Sequence, residues 1–157
     1  MKQTERKPVT GLKKFFFRAP LFLYRIRLGG LLGQRLLLLN HIGRKSGQPR
    51  QTVLEVVNHD KTTDTYFIAS GFGKKSDWYS NILVQSKVEI QVGWRKMMVT
   101  AVPLTPEQSG EAMADYARRH PTAAKNLGKL IGYDISTEAE YRAIGHDSIP
   151  FIALKPR

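Results

Sequence analysis

The side chains best able to do chemistry in this 157-residue chain are cations set in two glycine-bearing bends. Arg44, Lys45 and Arg50 surround Ser46 and Gly47 in the stretch GRKSGQPR. Lys74, Lys75 and Ser76 end the stretch SGFGKKS, which opens with Ser70, Gly71 and Phe72. If the two bends converge, they form a pocket for a phosphorylated ligand, because a charge-assisted hydrogen bond contributes about 1.5 to 3 kcal/mol and glycine lets backbone amides approach an anion closely. The plainer alternative is a pair of solvated basic turns. Directly after the second bend comes Asp77-Trp78-Tyr79-Ser80-Asn81, whose aromatic rings would either wall a ligand or pack as core. Tyr133 and Tyr141 fall in a late stretch that reads as helical, where they would overhang a strand-end cleft or simply pack.

Several chemistries are excluded by what is missing. With no cysteine, disulfides, thiolate nucleophiles, iron–sulfur clusters and cysteine-held zinc are all ruled out. No two of His41, His59, His120 and His146 have helical i, i+4 spacing, so a protein-held metal is not expected. No nucleophile elbow, H-E-x-x-H or Walker loop occurs. Gly71 and Gly73 begin a G-x-G-x-x-G pattern, but Ser76 takes the third glycine's place. Neither covalent catalysis nor a Rossmann-type dinucleotide site is supported.

The net charge of +12 is lopsided: residues 1–54 hold twelve basic residues against one acid, Glu5, while residues 55–157 are nearly balanced. Such a field favours an anionic partner: a phosphate-bearing cofactor, nucleic acid or an acidic lipid surface. Residues 11–32 mix phenylalanines and leucines with Lys13, Lys14, Arg18, Arg25 and Arg27, and read as an amphipathic helix broken near Pro20. The arginines interrupt the apolar run too often for a membrane span or a cleavable leader, so cytoplasmic residence is expected. The segment would lie in the headgroup plane of an anionic membrane or cap the protein's own core.

The elements that must position the bends follow from periodicity. Residues 35–42 (RLLLLNHI) form a short leucine-rich run that reads as a buried strand, and residues 51–57 return as its hairpin partner across the first basic bend. Residues 58–64 read as a polar turn and 65–70 as a third strand. Asp77 reads as the N-cap of a short helix over 78–85. Residues 87–92 and 95–104 form a second hairpin around Gly93-Trp94. Thr105-Pro106-Glu107-Gln108 is a capping box for a helix reaching Arg119, residues 122–131 read as helix, and Thr137 with Glu140 starts another through Ile144. Residues 148–154 close the chain as a strand. Hairpin-dominated strands with late helices predict an α+β fold, an antiparallel split or closed β-barrel with peripheral helices. The expected organisation is a basic segment over 1–33 and a barrel domain over 34–157.

Taken together, Gly43-Arg44-Lys45-Ser46-Gly47-Gln48-Pro49-Arg50, Ala69-Ser70-Gly71, Asp77-Trp78-Tyr79-Ser80-Asn81, Val88-x-x-Gln91-Val92-Gly93 and Ile149-Pro150 resemble the deazaflavin-dependent nitroreductase family. Its members use coenzyme F-420 and include mycobacterial quinone and nitroimidazole reductases. The resemblance runs from Leu37 to the C terminus. It implies a split β-barrel of the flavin-binding type and an oxidoreductase passing hydride from reduced deazaflavin to a quinone, enone or nitroaromatic. Carried over, Arg44, Lys45 and Arg50, with Ser46 beside them, would bind the coenzyme's phosphate and acidic tail. Ser70 and Gly71, with Phe72 and Lys75 on the same loop, would line the deazaflavin, and Trp78 and Asn81 match residues near it. Tyr141 matches an acceptor-pocket tyrosine and Tyr133 aligns more loosely; either would donate a hydrogen bond to charge developing on the acceptor oxygen. The loop GFGKKS is shorter than in many members, with Ser76 where they carry proline, so flavin mononucleotide (FMN) stands as the alternative cofactor. A reading from a different class also stands: a non-enzymatic binder of anionic membrane or nucleic acid through the basic N-terminal segment. Nucleic acid is disfavoured, since the aromatics lie inside apolar runs and no RNA-binding signature is present.

Overall fold

The computed structural model describes residues 2–3 and 33–157. The helix expected over 11–32 and the proposed 1–33 segment therefore lie outside the described residues, apart from Lys2, Gln3 and Gly33. The strands are β1 (Lys2–Gln3), β2 (Leu36–Ile42), β3 (Pro49–Glu55), β4 (Asn58–Asp60), β5 (Thr65–Ala69), β6 (Lys87–Val92), β7 (Arg95–Pro103), β8 (Tyr133–Asp134) and β9 (Phe151–Pro156). The helices are α1 (Asp77–Val84), α2 (Pro106–Arg119), α3 (Pro121–Leu130) and α4 (Glu138–Asp147), and a single 3-10 turn covers Gly73–Lys75. Seven strands form one sheet in the order β3-β2-β6-β7-β9-β5-β4, while β1 pairs with β8 alone. By internal contacts the described chain divides into two compact units.

The larger unit holds residues 33–68, Asp77–Val102 and Ala153–Arg157. Its sheet follows from pattern. In β6, Val88, Ile90 and Val92 alternate inward against Lys87, Glu89 and Gln91, the period-two signature of a strand with one face on a core. β2 is different: Leu37, Leu38 and Leu39 are all buried, so both of its faces are covered and alternation is lost. The antiparallel register sets Leu37 opposite Val92 and Leu39 opposite Ile90, and each such side chain contributes about 1.5 to 3 kcal/mol by leaving water. The polar residues of the same strands form a row, in which Gln51 donates to Asn40 (2.9 Å) and Asn40 to Glu89 (3.2 Å). The β6–β7 hairpin closes through Gly93 and Trp94, with Gly93 at φ +59°. The expected polar turn at 58–64 is shorter than predicted, because Asn58–Asp60 pairs with Thr65–Phe67 as β4. There His59 stacks on Tyr66 at 3.9 Å and reaches Asp64, which also pairs with Arg95. Pairing across a short hairpin, with Arg95 braced on Asp64, has turned local turn-formers into an edge strand.

The smaller unit holds Ala69–Ser76 and Pro103–Ile152, together with β1. α2 begins as its residue types require: Thr105 Oγ1 accepts from the Gln108 amide (3.1 Å) and the Gln108 side chain accepts from the Thr105 amide (2.9 Å). Thr137 caps α4 through the Glu140 amide, but that helix runs three residues past Ile144 to Asp147. The last strand starts at Phe151, not at residue 148, since Ser148 and Ile149 still donate to the Ile144 carbonyl. α2 and α4 cross closely. A methyl on Gly145 would meet the Ser109 carbonyl oxygen and would lie 2.6 Å from Met113 Cβ, and one on Gly110 would lie 2.9 Å from the Arg142 carbonyl oxygen. Ser109 is itself buried, and its hydroxyl accepts from the Phe151 amide (3.0 Å), which ties the start of β9 to the helix pair.

The Gly145→Ala variant should lose about 1 to 3 kcal/mol of stability, the usual cost of overpacking a closed contact, read as a lowered midpoint in urea unfolding. A midpoint equal to wild type would show that the helix crossing has room to spare.

Candidate functional site

The first basic bend is the β2–β3 turn, in the larger unit. Gly43 closes it from both sides: its amide donates to the Gln48 carbonyl (2.9 Å) and its carbonyl accepts from the Gly47 amide (2.8 Å). A side chain at Gly43 would stand 2.5 Å from Ser46 Oγ, and Gly47 sits at φ +68°, so the tight loop requires both glycines. Ser46 Oγ accepts from the Gln48 amide (3.2 Å) and braces the turn internally.

Helix α1 locks this turn. Asn81, 4% exposed, accepts through Oδ1 from the Arg44 amide (3.0 Å) and from Arg44 Nη1 (2.9 Å). Its Nδ2 lies 3.0 Å from His41 Nδ1. The Arg44 guanidinium also reaches Asp77 Oδ1 at 3.3 Å through both terminal nitrogens. Asp77 is thus the first residue of the helix, with a carboxylate turned to arginine, and not the N-cap that the sequence suggested. Burial, and next to it the Arg50 charge, holds His41 below the ordinary histidine value, with Asp77 opposing. His41 is therefore neutral at physiological pH. The local sequence gives no sign of this histidine's place; only its alternation with Leu37 and Leu39 along one face of β2 could have flagged it.

Of the cations expected to grip a ligand, Arg44 is already engaged, while Lys45 and Arg50 form no ion pair among the described residues. The amides of Lys45 and Ser46 also find no acceptor there. Lys45, Ser46 and Arg50 are exposed. Trp78 is half-buried and meets Tyr79 edge-on at 6.0 Å. Tyr79 is 6% exposed, and its phenol is raised above the ordinary value by burial.

The second bend belongs to the smaller unit. Ser70, 1% exposed, donates from its amide to the Pro150 carbonyl (3.0 Å) and from its hydroxyl to the Gly73 carbonyl. Ser76 Oγ lies 3.1 Å from Ser70 Oγ, so the loop folds back on its own first residue. Gly73 has φ +79°, and Gly71 faces Leu127, whose Cδ1 would stand 3.2 Å from an added methyl. Phe72 is 46% exposed and Lys75 is exposed. The amides of Gly71 and Phe72 have no acceptor among the described residues. Tyr133 is not helical as expected but half-buried in β8, whose pairing with β1 claims its backbone. Tyr141 lies in α4, 8% exposed; burial, and next to it Glu140, raises its phenol above the ordinary value, and its hydroxyl meets no partner among the described residues. Within each unit the expected residues do gather: Arg44, Lys45, Ser46, Arg50 and Asn81 in one, Ser70, Gly71, Phe72 and Lys75 in the other. Among the described residues no group of acids and histidines could hold a metal ion, and no helix is long and apolar enough to cross a membrane.

The chain resembles known proteins in sequence and in fold. A sequence model described as F420H(2)-dependent quinone reductase matches residues 24–129. F420H(2)-dependent quinone reductases of Mycobacterium tuberculosis, from strains H37Rv and CDC 1551, are 35% identical over 98 residues. That alignment covers 57% of this chain and 60% of the relatives, so the match spans well under two thirds of their length. Among solved structures, an F420-H2 dependent reductase (FDR-A) superposes with a TM-score of 0.54 at 20% identity, covering 78% of this chain and 96% of its own. A protein of the pyridoxinephosphate oxidase family from Clostridium acetobutylicum, related to general stress protein 26, gives a TM-score of 0.53 at 9% identity over 87% of this chain and 84% of its own. Both likenesses speak to architecture: the seven-stranded sheet is the split β-barrel of flavin-binding proteins. With the family model matching residues 24–129, more than half of this chain, the chain belongs to the F420H(2)-dependent quinone reductase family.

Proposed function

We propose that the protein is an oxidoreductase that binds reduced coenzyme F-420 and passes hydride to a small electrophilic acceptor, a quinone first, with enones and nitroaromatics as further acceptors. The observation that carries this reading is the β2–β3 turn: two cationic side chains and two consecutive amides, none with an acceptor among the described residues, on a loop held rigid from behind by α1. Such an all-donor surface fits the phosphate and carboxylate end of the coenzyme, since each charge-assisted hydrogen bond is about twice as strong as a neutral one. Lys45, Arg50 and Ser46 are the residues that would hold it, with Arg44 shaping the loop. The redox chemistry belongs to the reduced deazaflavin when it is bound, which is why the protein needs no nucleophile of its own.

The chain's part is to bind, orient and donate. The amides of Gly71 and Phe72, with the Lys75 ammonium, make the 70–76 loop a second donor surface, suited to the carbonyl-bearing edge of a flavin-like ring. Tyr141 is protonated at neutral pH, as any phenol is, and burial raises it further, so it is a hydrogen-bond donor without a partner among the described residues. A donor of that kind stabilises negative charge growing on an acceptor oxygen.

Titrating the purified full chain with reduced coenzyme, then with a soluble quinone, should show saturable binding followed by coenzyme oxidation; no saturable binding eliminates the reading, and tight binding of FMN in its place would redirect it to the flavin alternative. Lys45→Ala should weaken coenzyme binding about tenfold, the worth of one charge-assisted hydrogen bond, with its unfolding midpoint unchanged; parallel losses in both would refute the assigned role. Tyr141→Phe should lower kcat with the quinone by about tenfold or more while leaving the coenzyme Kd unchanged. An unchanged kcat would remove Tyr141 from the reaction.

A further inference from the structure

The Asn81 amide can satisfy its neighbours in only one orientation. Arg44 presents two donors to it, the backbone amide and Nη1, at 3.0 and 2.9 Å. Only an oxygen can accept both, so the NH2 end must face His41 at 3.0 Å. That end is a donor, so His41 Nδ1 must carry a lone pair, and the ring's proton sits on Nε2. Four groups on β2, the β2–β3 turn and α1 thus fix one another's polarity, and the hydrogen-bond chain ends on a histidine 6% exposed.

We propose that His41 and Asn81 are positioning residues for the anion-binding turn, and that protonating His41 releases it: with donors on both ring nitrogens, His41 demands the amide oxygen, and the amide then turns its NH2 toward Arg44. This rests on the reading that the turn holds the anionic end of the coenzyme. Among the described residues, the charged groups around His41 are Arg50, its cross-strand neighbour on β3, Asp77 on α1 and Arg44 in the turn itself. On β6, Glu89 is bonded to Asn40, which points to the opposite face of β2. Burial and Arg50 keep His41 neutral and outweigh Asp77, whose carboxylate is 85% exposed and well screened. The sign follows: a histidine held below its unfolded value of about 6.5 leaves stability full above that pH, and stability falls as the unfolded chain gains a proton that the folded chain resists. The grip is intact at neutral pH and is lost as acidity approaches the lowered value of His41.

The test uses the full-length chain, labelled with nitrogen-15, without coenzyme and then with it. In the free protein the His41 ring should show an unprotonated Nδ1 at neutral pH, and exchange of the Arg44 amide should be slowed about fivefold or more, the equivalent of one hydrogen bond. That protection should vanish on acidification in step with His41 protonation. Asn81→Asp should raise the His41 titration by about one pH unit or more, because a carboxylate partner favours the imidazolium; a residue that merely filled space would not move it. His41→Gln should keep an acceptor facing Asn81 and remove the acid-driven loss of protection. A protonated Nδ1 at neutral pH, or Arg44 exchange indifferent to His41 titration, overturns the proposal, and wild type with Asn81→Asp suffices if the glutamine variant fails to fold. In the second arm the Kd for reduced coenzyme should rise several-fold along the same titration curve; a flat Kd also overturns the proposal. Complete absence of coenzyme binding would instead defeat the functional reading, leaving the free-protein measurements to decide this one.

Discussion

A cation-bearing loop presents its donors in a fixed geometry when its backbone is held from within the protein. In the larger unit that restraint is the buried Asn81 amide, which reaches from α1 to the backbone and side chain of Arg44. The Arg44–Asp77 ion pair beside it is the more conspicuous contact, yet an exposed pair contributes about 0 to 1 kcal/mol and is screened by salt. The hydrogen bonds to Asn81 are partly buried and Asn81 itself is buried, so losing them leaves its amide unmatched, at about 1 to 3 kcal/mol. The amide therefore governs the turn, and the ion pair decorates it. Behind the amide stands β2, whose leucines are buried on both faces and whose register against β6 sets Leu37 opposite Val92 and Leu39 opposite Ile90.

The smaller unit reaches a similar end by different means. Its 70–76 loop is self-contained: Ser70 holds the Gly73 carbonyl and approaches Ser76, and its amide is fastened to Pro150. Pro150 precedes β9, whose first amide is held by Ser109 in α2, and α2 is pressed against α4 where glycines remove the side chains that would separate them. A chain of short contacts thus links the loop to the packed helix pair. The amides of Gly71 and Phe72 remain open among the described residues.

Much of this was readable in advance. The alternation of β6, the glycine hairpins, the capping boxes at Thr105 and Thr137 and the two basic bends are local signals, each carried by a few adjacent residues and a strong conformational preference. Where the structure departs from local preference, a pairing partner outweighs it. Residues 58–60 favour a turn, and only their pairing with β5, and the Asp64 contacts to His59 and Arg95, override that preference. Tyr133 follows a helical stretch, but it lies in a strand that exists by pairing with residues 2 and 3, remote in sequence. Asp77 had the residue type of a cap, but a partner 33 residues earlier in the chain drew its carboxylate away.

The sequence by itself determined the fold class and the family and nominated most residues of the candidate site, since periodicity, turn chemistry and a spaced set of motifs are properties of neighbours along the chain. Only the tertiary structure decided the division of labour inside that site. Whether a cation is free or engaged depends on which donors and acceptors lie within about 3 Å of it, and that is settled by strands and helices brought together from distant positions. Arg44 and Lys45 are adjacent and nearly alike as residue types, yet Asn81 and Asp77 hold the first, and Lys45 forms no ion pair among the described residues. His41, silent in the sequence, acquires a fixed tautomer because a buried amide has one oxygen and Arg44 has claimed it.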